Sequence, residues 1–166
     1  MKKIIPVLVI IFSLCKIDLF AQEDKFYLAF SAAAFDVLQK DKTSLEGRIE
    51  YRFYKKDWIV NPFSGVMYNI HNAFHFYFGF LLDIPLSDKI TLTPSFAPGL
   101  YYEGESKRLG LSIQFRSQLE LSFKMEDESK FGISFNHISN ASLADSNPGV
   151  ESFALTYIVP FEMIFN

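Results

Sequence analysis

The chain has 166 residues, 49% hydrophobic, 17% aromatic and 21% charged, with 19 Phe, a single Cys and a formal net charge of −3. That length allows one domain closed around one core or one small barrel, and the aromatic content excludes a disordered chain. One cysteine excludes a disulfide scaffold and a cysteine-based zinc site, and a sequence pI near 5.6 leaves no basic footprint for nucleic acid. What remains unexplained by composition is the excess of Phe and Tyr, which a soluble domain of this size does not need.

The chain opens with a basic start, Met1-Lys2-Lys3, followed by an almost wholly apolar run from Ile4 to Cys15. Leu19-Phe20-Ala21 then offers a small residue at the position before a cut. This is the layout of a secretory signal, and the run is shorter than the ~20 residues of a spanning helix. Leu14 is a bulky neighbour for a lipoprotein cut at Cys15. Residues 1–21 are therefore expected to be a signal peptide, and residues 22–166 the mature domain.

Beyond the signal the sequence alternates with a period of two. Leu45, Gly47, Ile49, Tyr51 and Phe53 interleave with Glu46, Arg48, Glu50 and Arg52. Phe74, Phe76, Phe78, Phe80 and Leu82 interleave with Ala73, His75, Tyr77, Gly79 and Leu81. Pro94 and Pro98 fall in one strand, where proline breaks a ladder, and predict a bulge. Leu109, Leu111, Ile113 and Phe115 interleave with Gly110, Ser112, Gln114 and Arg116, and the pattern runs on through Leu119, Leu121 and Phe123. Polar breaks near Asp36–Ser44, Lys55–Asp57, Asn69–Asn72, Pro85–Lys89, Glu103–Lys107, Lys124–Lys130 and Ala141–Val150 divide the chain into eight strands. Each is roughly 10 residues long, the size of a small outer-membrane barrel strand.

A soluble sandwich turns its apolar face inward, whereas a membrane barrel turns it towards lipid and its polar face into the lumen. Strand length, the export signal and strand-end aromatics such as Tyr101, Tyr102, Tyr157 and Phe161 favour an all-β, eight-stranded antiparallel transmembrane β-barrel. Glu46, Arg48, Glu50, Arg52, Arg116 and Glu120 are then expected as ion pairs plugging a lumen too narrow for a wide pore.

Three polar residues break the outward apolar rows near the C-terminus. His137 and Ser139 share the parity of Phe131, Ile133 and Phe135, and Glu151 shares that of Phe153, Leu155 and Tyr157. Polar groups facing hydrocarbon are costly, and Ser, His and a carboxylate together supply a nucleophile, a base and an orienting group. From these residues alone, polar rim positions around an ordinary Asn147-Pro148-Gly149 turn read equally well.

The run His137-Ile138-Ser139-Asn140-Ala141, followed by Asn147-Pro148-Gly149 and Glu151, resembles the signature of the PagL-type lipid A 3-O-deacylases. The resemblance implies an eight-stranded outer-membrane barrel that removes the acyl chain ester-linked at the 3 position of lipid A. It implies Ser139 as nucleophile, His137 as general base, Glu151 as its orienting partner, and Asn140 at the position linked to the oxyanion hole. Lipid A lies in the outer leaflet, so with both chain ends periplasmic these residues would stand beside its acyl chains. No metal or cofactor is expected. The expected partners are lipid A and the surrounding outer-membrane lipids, with a homodimer left open. The chain departs from common barrels in ending on Asn166 after Phe165.

Other motifs carry less. His71 and His75 stand four apart in a region that alternates as a strand, with no carboxylate nearby. Gly104-Glu105-Ser106-Lys107-Arg108 lacks the final Gly of a nucleophile elbow. Asn140-Ala141-Ser142 fits a glycosylation acceptor, which carries little weight in a chain that resembles a bacterial outer-membrane protein. The competing reading is a non-enzymatic barrel with a structural or adhesive role. A soluble ligand-binding sandwich is a third.

Overall fold

The computed structural model describes residues 25–55 and 58–165, so the expected signal peptide and Asn166 lie outside the described residues. The strands are β1 (Lys25–Phe35), β2 (Ser44–Tyr54), β3 (Asn61–Asn69), β4 (Phe74–Leu81), β5 (Ile84–Pro85), β6 (Ile90–Tyr102), β7 (Ile113–Lys124), β8 (Lys130–Ser139) and β9 (Val150–Pro160). A short helix, Glu162–Phe165, follows. The long strands pair antiparallel in the order β4-β3-β2-β1-β9-β8-β7-β6, and β4–β6 pairing closes the ring. β5 only extends the β6 edge. The fold is thus a closed, eight-stranded antiparallel barrel, as the alternation predicts.

Period two becomes two unlike walls. On β2, Leu45 and Ile49 are exposed at 62% and 50%, while Glu46 and Arg48 between them are at 1% and 3%. Phe74, Phe76, Phe78 and Phe80 all point outward from β4, with His75 and Tyr77 buried inside. The excess of aromatic residues is therefore largely an outer apolar band. The lumen holds the expected ion pairs. Arg52 donates to Glu50 at 2.7 Å and to Glu120 at 2.7 Å, Arg116 meets Glu50 at 3.0 Å, and Arg48 pairs with Glu46. Each charge has an opposite neighbour, which offsets the large desolvation cost of burial.

Three local expectations change. The ladder of β7 starts at Ile113, not Leu109: Leu109 is buried and Gly110 turns with φ +83, its backbone packed against the Ser146 carbonyl. Tyr101 points into the lumen, so the strand-end aromatics facing outward include Tyr102 and Tyr157 but not Tyr101. Pro94 and Pro98 produce no bulge, because the β6–β7 and β4–β6 registers are unshifted along their length. Leu82 N–H donates to the Pro94 carbonyl, so residues of that parity on β6 turn their hydrogen-bonding groups towards β4. The missing proline N–H groups fall on that seam, and the β4–β6 pairing is interrupted between Tyr77–Gly99 and Phe80–Phe96. Gly79 lets the strands close up there, since a Cβ would lie 2.1 Å from the Phe96 carbonyl oxygen.

Candidate active site

β8 and β9 are joined by the loop from Asn140 to Gly149 at the end of the barrel opposite the chain termini. His137 lies in register with Glu151 on β9 and with Ser117 on β7. Its face is that of Phe131, Ile133 and Phe135, exposed at 47%, 42% and 42% on the outer wall. Glu151 continues the outward row of Phe153, Leu155 and Tyr157. The imidazole is about half open while the carboxylate beside it is mostly covered, with side-chain exposures of 45% and 12%.

Cross-strand pairing brings His137 Nδ1 to 2.8 Å from Glu151 Oε1. An ionised carboxylate only accepts, so Nδ1 carries the hydrogen and Nε2 keeps its lone pair. Ser139 is two residues further along the same face, its Cα roughly 6.5–7 Å away by strand rise. Its hydroxyl makes no side-chain hydrogen bond among the described residues, so the His137–Glu151 pair is formed and the Ser139 hydroxyl lies unengaged further along the same face. Catalytic contacts of this kind commonly tighten only around substrate.

Asn140 is held within the loop. It is fully buried, and its Nδ2 donates to the carbonyls of Leu109 at 2.9 Å and Ser146 at 2.8 Å. Its backbone N–H donates to Asn147 Oδ1 at 3.0 Å. Both amide hydrogens are thus spent on tying the β8–β9 loop to itself and to the β6–β7 loop. The turn that follows is left-handed at two consecutive non-glycine residues, Ala141 (φ 54) and Ser142 (φ 62). Such backbone costs about 1–3 kcal/mol per residue and persists where the surroundings impose it. The N–H groups of Ala141 and Ser142 have no hydrogen-bond partner among the described residues.

Gly149 supports the imidazole from the other end of the loop. Its φ is +65, and a Cβ there would lie 2.6 Å from His137 Cε1. Only glycine satisfies both the backbone angle and the contact. The sequence showed Gly149 as part of a turn; nothing local to it revealed that the turn closes on the imidazole.

His71 and His75 do not come together as a site: His71 sits in the β3–β4 turn and His75 is buried in the lumen.

Residues 32–160 match the sequence profile of the family described as lipid A 3-O-deacylase (PagL). The chain belongs to the PagL family. A curated relative, lipid A deacylase PagL of Bordetella bronchiseptica, is 34% identical over 55 residues, covering 33% of this chain and 31% of that protein. The match therefore spans under a third of the relative's length. Among solved structures, the crystal structure of the outer membrane enzyme PagL aligns with a TM-score of 0.68 at 19% identity, covering 81% of this chain and 99% of that one. The Yersinia pestis outer membrane protein Ail aligns with a TM-score of 0.52 at 12% identity, covering 82% and 100%. These likenesses establish the barrel fold, and the family places the His137-to-Glu151 segment inside its matched region.

Proposed function

We propose that the protein is an outer-membrane lipid A 3-O-deacylase using Ser139, His137 and Glu151. The observation that carries this reading is the His137–Glu151 hydrogen bond on the lipid-facing wall, with Ser139 on the same face. A buried lumen site could not meet a bilayer substrate, whereas these groups open towards acyl chains. Family membership supplies the substrate class, the ester-linked 3-acyl chain of lipid A.

In this reading Ser139 Oγ attacks the ester carbonyl carbon while its proton passes to His137 Nε2. Glu151 holds the ring and stabilises its positive charge. The tetrahedral intermediate collapses, the bond to the sugar oxygen breaks, and His137 returns the proton to that oxygen. Water then attacks the acyl-Ser139 ester with His137 again as base, releasing a fatty acid. We assign oxyanion stabilisation to the free N–H groups of Ala141 and Ser142, with Asn140 holding the turn that presents them. Removing one such donor typically costs ~10²–10³ in rate. No step calls for a metal or a cofactor.

The test is mass spectrometry of lipid A from cells that carry the 3-linked chain and express wild type or Ser139→Ala. Wild type should remove the mass of one ester-linked acyl group, and the folded variant should not. An unchanged lipid A pattern with well-folded wild type refutes the enzyme and supports a structural barrel.

A further inference from the structure

Three loops meet over the site, and one buried lysine joins them. Lys107 belongs to the β6–β7 loop, yet it is only 5% exposed. Its carbonyl accepts from the Tyr101 hydroxyl at 2.9 Å, which anchors it to the barrel wall. Its Nζ donates to Asp36 Oδ1 at 2.7 Å and to Gln39 Oε1 at 2.5 Å, both from the β1–β2 loop. Asp41 adds a more distant carboxylate at 3.7 Å.

Two lines run from this lysine to the site. Gln39 Nε2 donates to the Pro148 carbonyl at 2.7 Å, and Pro148 precedes Gly149, which lies against the imidazole of His137. Asp36 is followed by Val37, whose N–H donates to the Glu151 carbonyl at 3.1 Å. The chemistry fixes the direction of the bridge: a lysine only donates and a carbonyl only accepts, so the Gln39 amide can satisfy both in one orientation. Asp36 is itself fixed, accepting from the Lys42 N–H at 2.8 Å.

We propose that Lys107, acting through Gln39 and Asp36, is a positioning residue that fixes the β9 entry and thereby holds the His137–Glu151 pair beside Ser139. The proposal rests on the deacylase reading for its kinetic consequence but not for its geometric one. Misplacing a catalytic group by 1 Å costs about 10²-fold in rate, so partial loosening of one line should cost about tenfold in kcat. Both lines reach the site through backbone at Pro148 and Glu151, so the effect is expected in kcat and not in KM.

The experiment uses the mature chain refolded in detergent micelles, with lipid A bearing the 3-linked ester as substrate. Gln39→Ala is an exposed change that leaves the ion pair in place, and it should lower kcat about tenfold at unchanged KM. Gln39→Glu should behave like Gln39→Ala, because a carboxylate accepts from Lys107 but cannot donate to Pro148. Asp36→Asn combined with Lys107→Met tests the pair without stranding a buried charge. Arg108→Ala, in the same loop but 82% exposed and paired only with Glu103, should retain the wild-type rate. In parallel, the NMR cross-peak between His137 Hε1 and the Gly149 α-hydrogens reads the contact directly. It should weaken in the Gln39 variants and persist in Arg108→Ala. Wild-type kcat in both Gln39 variants, or an undiminished cross-peak, overturns the proposal. If wild type shows no deacylation, the functional reading has failed and the cross-peak alone decides the positioning role.

Discussion

Gly149→Ala isolates the contact that ties loop geometry to chemistry. The added Cβ would sit 2.6 Å from His137 Cε1, where ordinary contact begins near 3.4 Å. The ring or the loop must therefore yield by about 1 Å, a displacement worth roughly 10²-fold in rate, or about 2.7 kcal/mol of barrier. Separately, an alanine held at φ +65 costs roughly 1–2 kcal/mol of stability. The two effects are distinguished by assay. Heat-dependent gel mobility and urea unfolding report whether the barrel remains closed, and release of fatty acid from lipid A reports kcat. The expectation is a folded barrel, modestly destabilised, with kcat down about 10²-fold. A folded Gly149→Ala protein turning over at the wild-type rate refutes the claim that this glycine supports the imidazole.

Under the proposed mechanism, Glu151→Gln keeps an acceptor for His137 Nδ1 but removes the charge that would stabilise the imidazolium, so kcat should fall roughly 10²–10⁴-fold with folding unchanged; steady-state rates on folded protein check this. Asn140→Asp replaces two donated hydrogens with an acceptor facing the Leu109 and Ser146 carbonyls. Urea unfolding should show a loss of about 1–3 kcal/mol, together with reduced activity, and unchanged stability would contradict the tether. Arg52→Met strands Glu120 in the lumen while Glu50 keeps Arg116. It should cost about 3–5 kcal/mol in unfolding without changing kcat of the folded fraction. Burial opposes ionisation of Asp36, but the hydrogen bond and charge of Lys107 and the backbone donors of Lys42 and Asp41 outweigh it, holding the carboxyl below its ordinary range. A depressed folded-state value means stability that is present above the ordinary carboxylate range and lost as pH falls through the folded one. Asp36→Asn should therefore flatten the acid limb of a stability–pH curve, and an identical limb would refute the linkage.

The barrel was readable because its two environments differ so sharply. On β2 charged and apolar residues alternate without error, and a one-residue slip would put Glu46, Arg48, Glu50 and Arg52 into hydrocarbon. The same parity argument singles out His137, Ser139 and Glu151 as candidates, since a polar residue in an apolar row is conspicuous. It failed where the backbone rather than the side-chain pattern decides. Leu109 has the right parity for the outer wall, yet the left-handed Gly110 takes it out of the ladder and buries it. Asn140 came from motif position rather than parity, and its side-chain amide ties the loop to the Leu109 and Ser146 carbonyls. The Asp36–Lys107 pair was invisible for another reason. Its members are 71 positions apart and meet only because the strand order brings their loops to one end.

The half-open imidazole on the outer wall has a kinetic corollary under the proposed activity. A substrate already dissolved in the bilayer reaches Ser139 by lateral diffusion, so encounter happens in two dimensions and needs no lid. The governing quantity is then the mole fraction of lipid A in the surface, not its bulk concentration. Diluting the substrate with inert detergent or phospholipid at constant total lipid A should slow the enzyme, whereas diluting the whole mixture with buffer should not.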